Sequence, residues 1–244
     1  MKRRIFLQKS ALATTCISCA PHSALTKTIN YTIEELMGKA DVALYGEGIN
    51  LRNEAHVAFL NMKKAAYKDG FDIKMISSFR DFYKQQSIWE RKYIRYTERD
   101  DMTPLEAIEK IIEYSTIPGT SRHHWGTDID IVDGYQKVSG DVLDPNKFEG
   151  DGPYAPFKDW LDKNANKHGF YIVYTDNPER KGFKYEPWHY SFAPISRPML
   201  KAYRQFNIMK LLGKEDFLGC EHFTREFVKT YIEDNILDIN PVLL

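Results

Sequence analysis

What most constrains this chain is that its β-type segments are short and are set between helical stretches. Residues 71–76, 127–132, 170–174 and 183–192 are rich in β-formers or alternate polar with apolar side chains, and each predicts a strand. Helical patterns separate them. Thr32-Ile33-Glu34-Glu35 has capping-box spacing for a short helix. Ala55, Phe59, Met62 and Ala66 recur at helical spacing over 54–69, and Gly70 stands where a left-handed C-terminal residue is wanted. Asp81 caps a helix reaching residue 93. Thr103-Pro104-Leu105-Glu106 joins an N-cap, a Pro at the first helical position and a Glu at the third, so a helix runs from there to 114. Residues 157–168 read as helix ended by Gly169, and two helical pieces follow, around 197–212 and 222–235. Residues 133–153 read as loop. The connections suit antiparallel pairing. The pattern predicts an α+β fold: a single domain with a small, mainly antiparallel sheet flanked by helices and a helical C-terminal tail.

Composition narrows the class. With 244 residues, 43% hydrophobic and 14% aromatic, the chain can bury a sizeable core and is not of a disordered composition. Three Cys are too few for a disulfide framework. Beyond the N-terminus no apolar run reaches the roughly 20 residues a bilayer span needs. Lys+Arg and Asp+Glu each total 34, so no strongly basic nucleic-acid surface is indicated.

That neutral total hides an asymmetry. Residues 1–24 hold Lys2, Arg3, Arg4 and Lys9 and no acid, which leaves 30 of the 34 basic residues against 34 acidic ones afterwards. A basic start, a mildly apolar stretch and then small residues form the layout of an export signal. Arg3-Arg4-Ile5-Phe6-Leu7 resembles the twin-arginine signal, which implies export of a folded chain and a periplasmic location. Cys16-Ile17-Ser18-Cys19 only loosely resembles a lipoprotein processing site with Cys19 acylated, because the leading Cys is wrong for that pattern. Without the signal only Cys220 remains, and it reads as a buried, inert thiol.

Two segments carry candidate chemistry: Ser121-Arg122-His123-His124-Trp125-Gly126-Thr127-Asp128-Ile129-Asp130 and Glu186-Pro187-Trp188-His189. Imidazole and carboxylate are ligand types that zinc takes, and a catalytic zinc keeps three protein ligands and one open position. His123 before a strand, Asp130 within it and His189 on a neighbouring strand supply three such groups. Asp128 and Asp130 point to one strand face, so spacing alone does not choose between them. Glu186, three residues from His189, is placed to act as a general base.

The order of these residues resembles the VanY-type zinc D-alanyl-D-alanine carboxypeptidases, with their related dipeptidases and L,D-carboxypeptidases. That family shows Ser-x-His-x-x-Gly-x-Ala-x-Asp and, about sixty residues on, Glu-x-Trp-His. Ser121, His123, Gly126 and Asp130 match the first motif, and Glu186, Trp188 and His189 match the second. Ser77, Arg80 and Gln85 match an upstream Ser-x-x-Arg turn followed by Gln. The resemblance covers roughly residues 50–195. It implies one zinc per chain on His123, Asp130 and His189, Glu186 as base, and Arg80 as substrate and transition-state contact. Gln85 and Ser121 become substrate contacts. The implied substrate is a peptidoglycan stem peptide losing its C-terminal D-Ala. The implied organisation is a signal over 1–24, a zinc peptidase domain over 25–196 and a helical extension over 197–244. Asp128 departs from the family's Ala, and is either an acceptor orienting a ligand His or a competing ligand. His124 falls at a variable position and reads as packed or supporting. An endopeptidase and a silent zinc domain binding cell-wall or protein partners are the rival readings. Retention of both Glu186 and Arg80 argues against the silent domain, which would need neither.

Overall fold

Four antiparallel strands in the order β1-β2-β4-β3 form the sheet that carries the site: β1 Ile73–Ser77, β2 Asp128–Asp133, β3 Phe170–Ile172 and β4 His189–Phe192. Alternation along β2 and β4 divides the two faces. Ile129, Ile131, Tyr190 and Phe192 enter an apolar core with Phe59 and Met62 of α2 (Asn53–Lys68) and with Phe157 and Leu161 of α5 (Ala155–Asn164). Asp128, Asp130, His189 and Ser191 occupy the opposite face. The register sets the chemistry: Asp130 pairs with His189, Asp128 with Ser191, and Ser77 with Asp130 beside a bulge in β1.

These coordinates come from a computed structural model that describes residues 31–244, and these form one compact unit. The Arg3-Arg4 signal, Cys16 and Cys19 lie outside the described residues. The remaining helices are α1 Ile33–Leu36, α3 Phe82–Ile94, α4 Pro104–Ile111, α6 Ala193–Tyr203, α7 Ile208–Leu212 and α8 Arg225–Tyr231. Three capped helix starts read from the sequence are built as expected, while the tail piece read around 197–212 starts at Ala193 and is split into α6 and α7. Thr32 caps α1, Asp81 caps α3, and Thr103 with Glu106 closes a full capping box on α4.

One strand is shorter than the sequence suggests. Of residues 183–192, only His189–Phe192 pairs in the sheet. Pro187 has no N–H to give to a ladder. The preceding backbone bonds elsewhere: Lys184 N–H to Glu113 O at 2.9 Å and Glu186 N–H to Tyr174 O at 3.2 Å. Cys220 also differs from expectation, being half-buried in a surface 3₁₀ turn.

The helical tail is part of the body of the fold. Met199, Leu200, Tyr203, Leu212, Val228 and Tyr231 are buried in the larger core with Trp89, Ile108 and Trp125. Gly182 sits so close to this tail that a Cβ there would stand 1.7 Å from Asp234 O, so glycine is needed at that crossing.

Candidate metal centre

His123 lies in a 3₁₀ turn, Arg122–Trp125, between Ser121, whose hydroxyl accepts from His123 N–H, and Gly126, which ends the turn at φ 66°. The turn is fixed from outside by Arg80 N–H donating to His123 O at 3.1 Å. It delivers His123 beside the Asp130–His189 pair. Among the described residues, His123, Asp130 and His189 offer ligand atoms all within 4.8 Å of one another, and all three side chains are buried.

Hydrogen bonds decide which nitrogens are free. His123 Nδ1 donates to Ser78 O at 2.7 Å, which turns Nε2 toward Asp130 Oδ2 at 3.4 Å. His189 Nε2 donates to Asp128 Oδ1 at 3.0 Å, which leaves Nδ1 facing Glu186 Oε2 at 2.9 Å and Asp130 Oδ1 at 3.9 Å. This is the arrangement in which a partner on one ring nitrogen orients the other toward a metal. Asp130 Oδ1 is buried without a hydrogen-bond partner among the described residues. A buried carboxylate oxygen left open between two imidazole nitrogens fits a cation, and the N/O donor set suits zinc.

The charge balance points the same way. Burial alone would lower the His189 imidazolium, but its bonds to Asp128 and Glu186 outweigh this and lift its pKa to about 10. The carboxylates thus draw positive charge to the ring, as a proton on Nδ1 that a bound metal ion would replace. Burial raises Glu186, with the His189 bond pulling it back in part. Burial would raise Asp130 as well, but His123 beside it holds the carboxyl below its usual range.

Asp128 stands outside this cluster of candidate ligands and is saturated by hydrogen bonds. Its Oδ1 accepts from Arg122 Nε and His189 Nε2, both at 3.0 Å, and its Oδ2 accepts from Thr127 Oγ1 at 2.7 Å and Ser191 Oγ at 2.8 Å. Burial would raise its carboxyl, but Arg122 holds it well below the usual range. Arg122 also donates to Ser191 Oγ at 2.7 Å and lies over the Trp125 ring. Sequence reasoning missed Arg122, Thr127 and Ser191. The signal for Ser191 was its place two residues after His189, on the same strand face.

His124 is a strut. Its Nδ1 donates to Arg80 O at 2.6 Å, and its Nε2 accepts from Gly119 N–H at 3.1 Å. Burial lowers its pKa to about 3, so it is neutral. The turn that carries His123 is thereby tied to two flanking loops.

A cavity of about 610 Å³ opens on the centre. Arg80, Ser121, His123, Asp130, Glu186 and His189 all line it, as do Lys92 and Trp188. Gln85 does not. It is fully buried behind Arg80, accepting from Arg80 Nη1 at 2.6 Å and donating to Thr116 O at 2.8 Å. Arg80 also donates to Ser77 Oγ at 3.0 Å, so the guanidinium is braced on two sides with N–H groups to spare. Burial lowers the Arg80 pKa, against the raising pull of Asp130 and Glu186. Lys92 donates to Ser115 Oγ at 3.0 Å and forms no ion pair among the described residues.

A four-stranded antiparallel sheet, two histidines and an aspartate converging beside a buried glutamate, and an open cavity together define a metallohydrolase type of centre. The chain belongs to the VanY family of D-alanyl-D-alanine carboxypeptidases, whose family model matches residues 48–195. It is 30% identical over 178 residues to a D-alanyl-D-alanine carboxypeptidase of Enterococcus faecalis, covering 72% of this chain and 58% of the relative. It is 32% identical over 140 residues to the putative carboxypeptidase YodJ of Bacillus subtilis, covering 57% of this chain and 45% of the relative. The chain therefore spans about half the length of these curated relatives. Among solved structures, it resembles VanYB in complex with D-alanine-D-alanine, with a TM-score of 0.52 and 24% identity over 73% of this chain and 92% of that one. A mutant of the vancomycin-resistance D,D-pentapeptidase VanY in complex with Zn(II) gives 0.51 and 24% over 70% and 90%. Those two likenesses are of fold.

Proposed function

We propose that this chain is a zinc-dependent carboxypeptidase that removes a C-terminal D-amino acid, D-Ala, from peptidoglycan stem peptides. The observation that carries this reading is the convergence of His123, Asp130 and His189 beside Glu186 and Arg80 in one cavity. Family membership supplies the substrate class. His123 Nε2, an Asp130 carboxylate oxygen and His189 Nδ1 would hold the ion. When bound, zinc supplies Lewis acidity, polarising a carbonyl and making water acidic enough to attack near neutral pH.

The chain's own groups do the rest. Glu186 accepts the attacking water's proton and delivers it to the leaving amine, and burial keeps its carboxyl ready to hold that proton. Arg80 is braced by Gln85 and Ser77 and presents its remaining N–H groups to the oxyanion that develops at the scissile carbonyl. Trp188 and Tyr174 line the cavity and exclude water. Lys92 brings a half-buried cation to the same cavity, where a free terminal carboxylate is a fitting partner. The basic start of the chain supports export to the compartment where such peptides lie.

Purified protein with zinc is incubated with stem pentapeptide, tetrapeptide and a C-terminally amidated pentapeptide, and the products are weighed by mass spectrometry. Loss of one C-terminal residue from a free acid is expected, with the amide at least about tenfold slower. Glu186→Gln should retain zinc and bind peptide while hydrolysis falls by at least about 100-fold. Binding without cleavage by the wild type would reject the enzyme reading. Equal cleavage of acid and amide would favour an endopeptidase.

A further inference from the structure

The last helices carry a surface that the peptide chemistry does not use. Arg197 and Lys201 on α6 and Arg204 at its C-cap follow one another at four and three residues, so they share an exposed face of that helix end. Arg225 and Lys229 share an exposed face of α8 in the same way. Two grooves meet at Arg204. One, of about 700 Å³, sets Arg197, Lys201 and Arg204 beside Tyr171, Pro194 and Val242. The other, of about 390 Å³, sets Arg204, Arg225 and Lys229 beside Phe206, Ile232 and Leu237. Among the described residues no Asp or Glu lines either groove. Among the described residues the one pair of 4.0 Å or less between these five cations and a side-chain carboxylate is Lys229–Glu233, at 4.0 Å, and Arg197 Nε donates to O of Leu244, the last residue, at 3.4 Å.

Acids outnumber bases after residue 24, so a two-groove surface lined, among the described residues, by five cationic side chains and no Asp or Glu is a local reversal of the chain's charge. Like charges gathered in excess of nearby carboxylates favour an anionic partner. The surface is also apolar: Val242 is 45% exposed and Phe206 36% exposed, one in each groove. A soluble polyanion would engage the cations and leave these side chains in water. A lipid surface takes both, with headgroup phosphates on the Arg and Lys groups and the apolar side chains at the acyl boundary. No described helix is long and apolar enough to cross a membrane, so the contact is peripheral.

We propose that the α6–α8 face is a docking surface for an anionic phospholipid membrane, with Arg197, Lys201, Arg204, Arg225 and Lys229 binding headgroups and Phe206 and Val242 entering the interface. The inference is independent of the peptidase reading. The test is vesicle co-sedimentation of the full chain carrying Lys2→Gln, Arg3→Gln, Arg4→Gln and Lys9→Gln, which removes the basic start as a competing contact. Vesicles of phosphatidylcholine with phosphatidylglycerol should bind it, more weakly as salt rises, and pure phosphatidylcholine should not. Adding Arg197→Gln, Lys201→Gln and Arg204→Gln should weaken binding by about 100-fold. Phe206→Ser with Val242→Ser should weaken it by about tenfold or more. Lys64→Gln with Lys68→Gln, exposed on α2 and lining neither groove, should leave it unchanged, and unchanged urea midpoints show that the variants are folded. Absence of binding to anionic vesicles, equal binding by the triple variant, or equal loss in the α2 control would overturn the proposal. Polyphosphate displacing the protein while Phe206→Ser with Val242→Ser binds vesicles normally would make the surface a soluble-polyanion site instead.

Discussion

Asp128 and Asp130 stand two residues apart on one strand face, yet one carboxylate is saturated and the other is open. Asp128 accepts four hydrogen bonds, one of them from the ring nitrogen of His189 that a metal does not need. Spacing could not separate the two, because only the position of Arg122 across the turn shows which carboxylate is already satisfied. Asp128→Asn keeps the volume but turns a donor toward groups that already donate. Zinc affinity, measured by chelator competition, should fall about 10- to 100-fold. Asp130→Asn should abolish stable zinc binding, and equal affinity in the two variants would contradict the assignment. His124 gives a pH prediction. An unfolded imidazole takes a proton below about 6.5, whereas the buried one does so only near about 3. The unfolded state therefore binds more protons in that window, and His124 weakens folding as pH falls below 6.5, by about 2 kcal/mol at pH 5. His124→Gln should flatten the pH 7.5-to-5 stability difference by that order in urea unfolding; an unaltered slope would show that His124 does not carry it.

At the scale of elements, the sequence was legible wherever one local rule had no rival. The caps at Thr32, Asp81 and Thr103 specified helix starts, and alternation along β2 placed Ile129 and Ile131 in the core and the aspartates opposite. It was not legible where the backbone is satisfied by distant partners. Residues 183–188 look strand-like but bond to Glu113 and Tyr174, and the matched motif at Gln85 said nothing of which way that side chain turns. The 3₁₀ turn holding His123 is of this second kind, resting on Ser121, on Arg80 and on the left-handed Gly126. A Cβ at Gly126 would meet Leu44 Cδ2 at 3.0 Å and Arg52 Cγ at 3.4 Å, besides straining φ 66°. Gly126→Ala should therefore cost at least about 1–2 kcal/mol in urea unfolding. It should weaken zinc binding as well, because the turn and the ligand shift together. A variant with wild-type stability and zinc affinity would show that the turn tolerates the change.

Across the whole molecule, the helical extension after residue 196 lies beyond the stretch the family model matches, yet it braces the turn that carries His123. Buried Tyr203 donates to Gly119 O at 2.8 Å. Buried Tyr231 accepts from Ile117 N–H at 3.1 Å and bonds Thr120 Oγ1 at 2.8 Å. Gly119 in turn donates to His124, the neighbour of His123. A chain of hydrogen bonds thus runs from the extension through loop 117–120 to the candidate metal centre. Tyr231→Phe keeps the ring packed in the core and leaves the Ile117 N–H buried without a partner, at a cost of about 1–3 kcal/mol. Since the loss falls on the loop and not on a ligand, zinc should stay bound while kcat for stem-peptide hydrolysis drops and KM changes less. Tyr203→Phe removes the donor to Gly119 O and should act in the same direction. Ending the chain after Ser196 would strip Met199, Leu200, Tyr203 and Tyr231 from the core, so a folded product is not expected. If that truncated chain instead folded and cleaved peptide at the wild-type rate, the extension would be dispensable and the bracing role would be wrong. Full kcat in Tyr231→Phe despite the stability loss would confine the extension's contribution to folding.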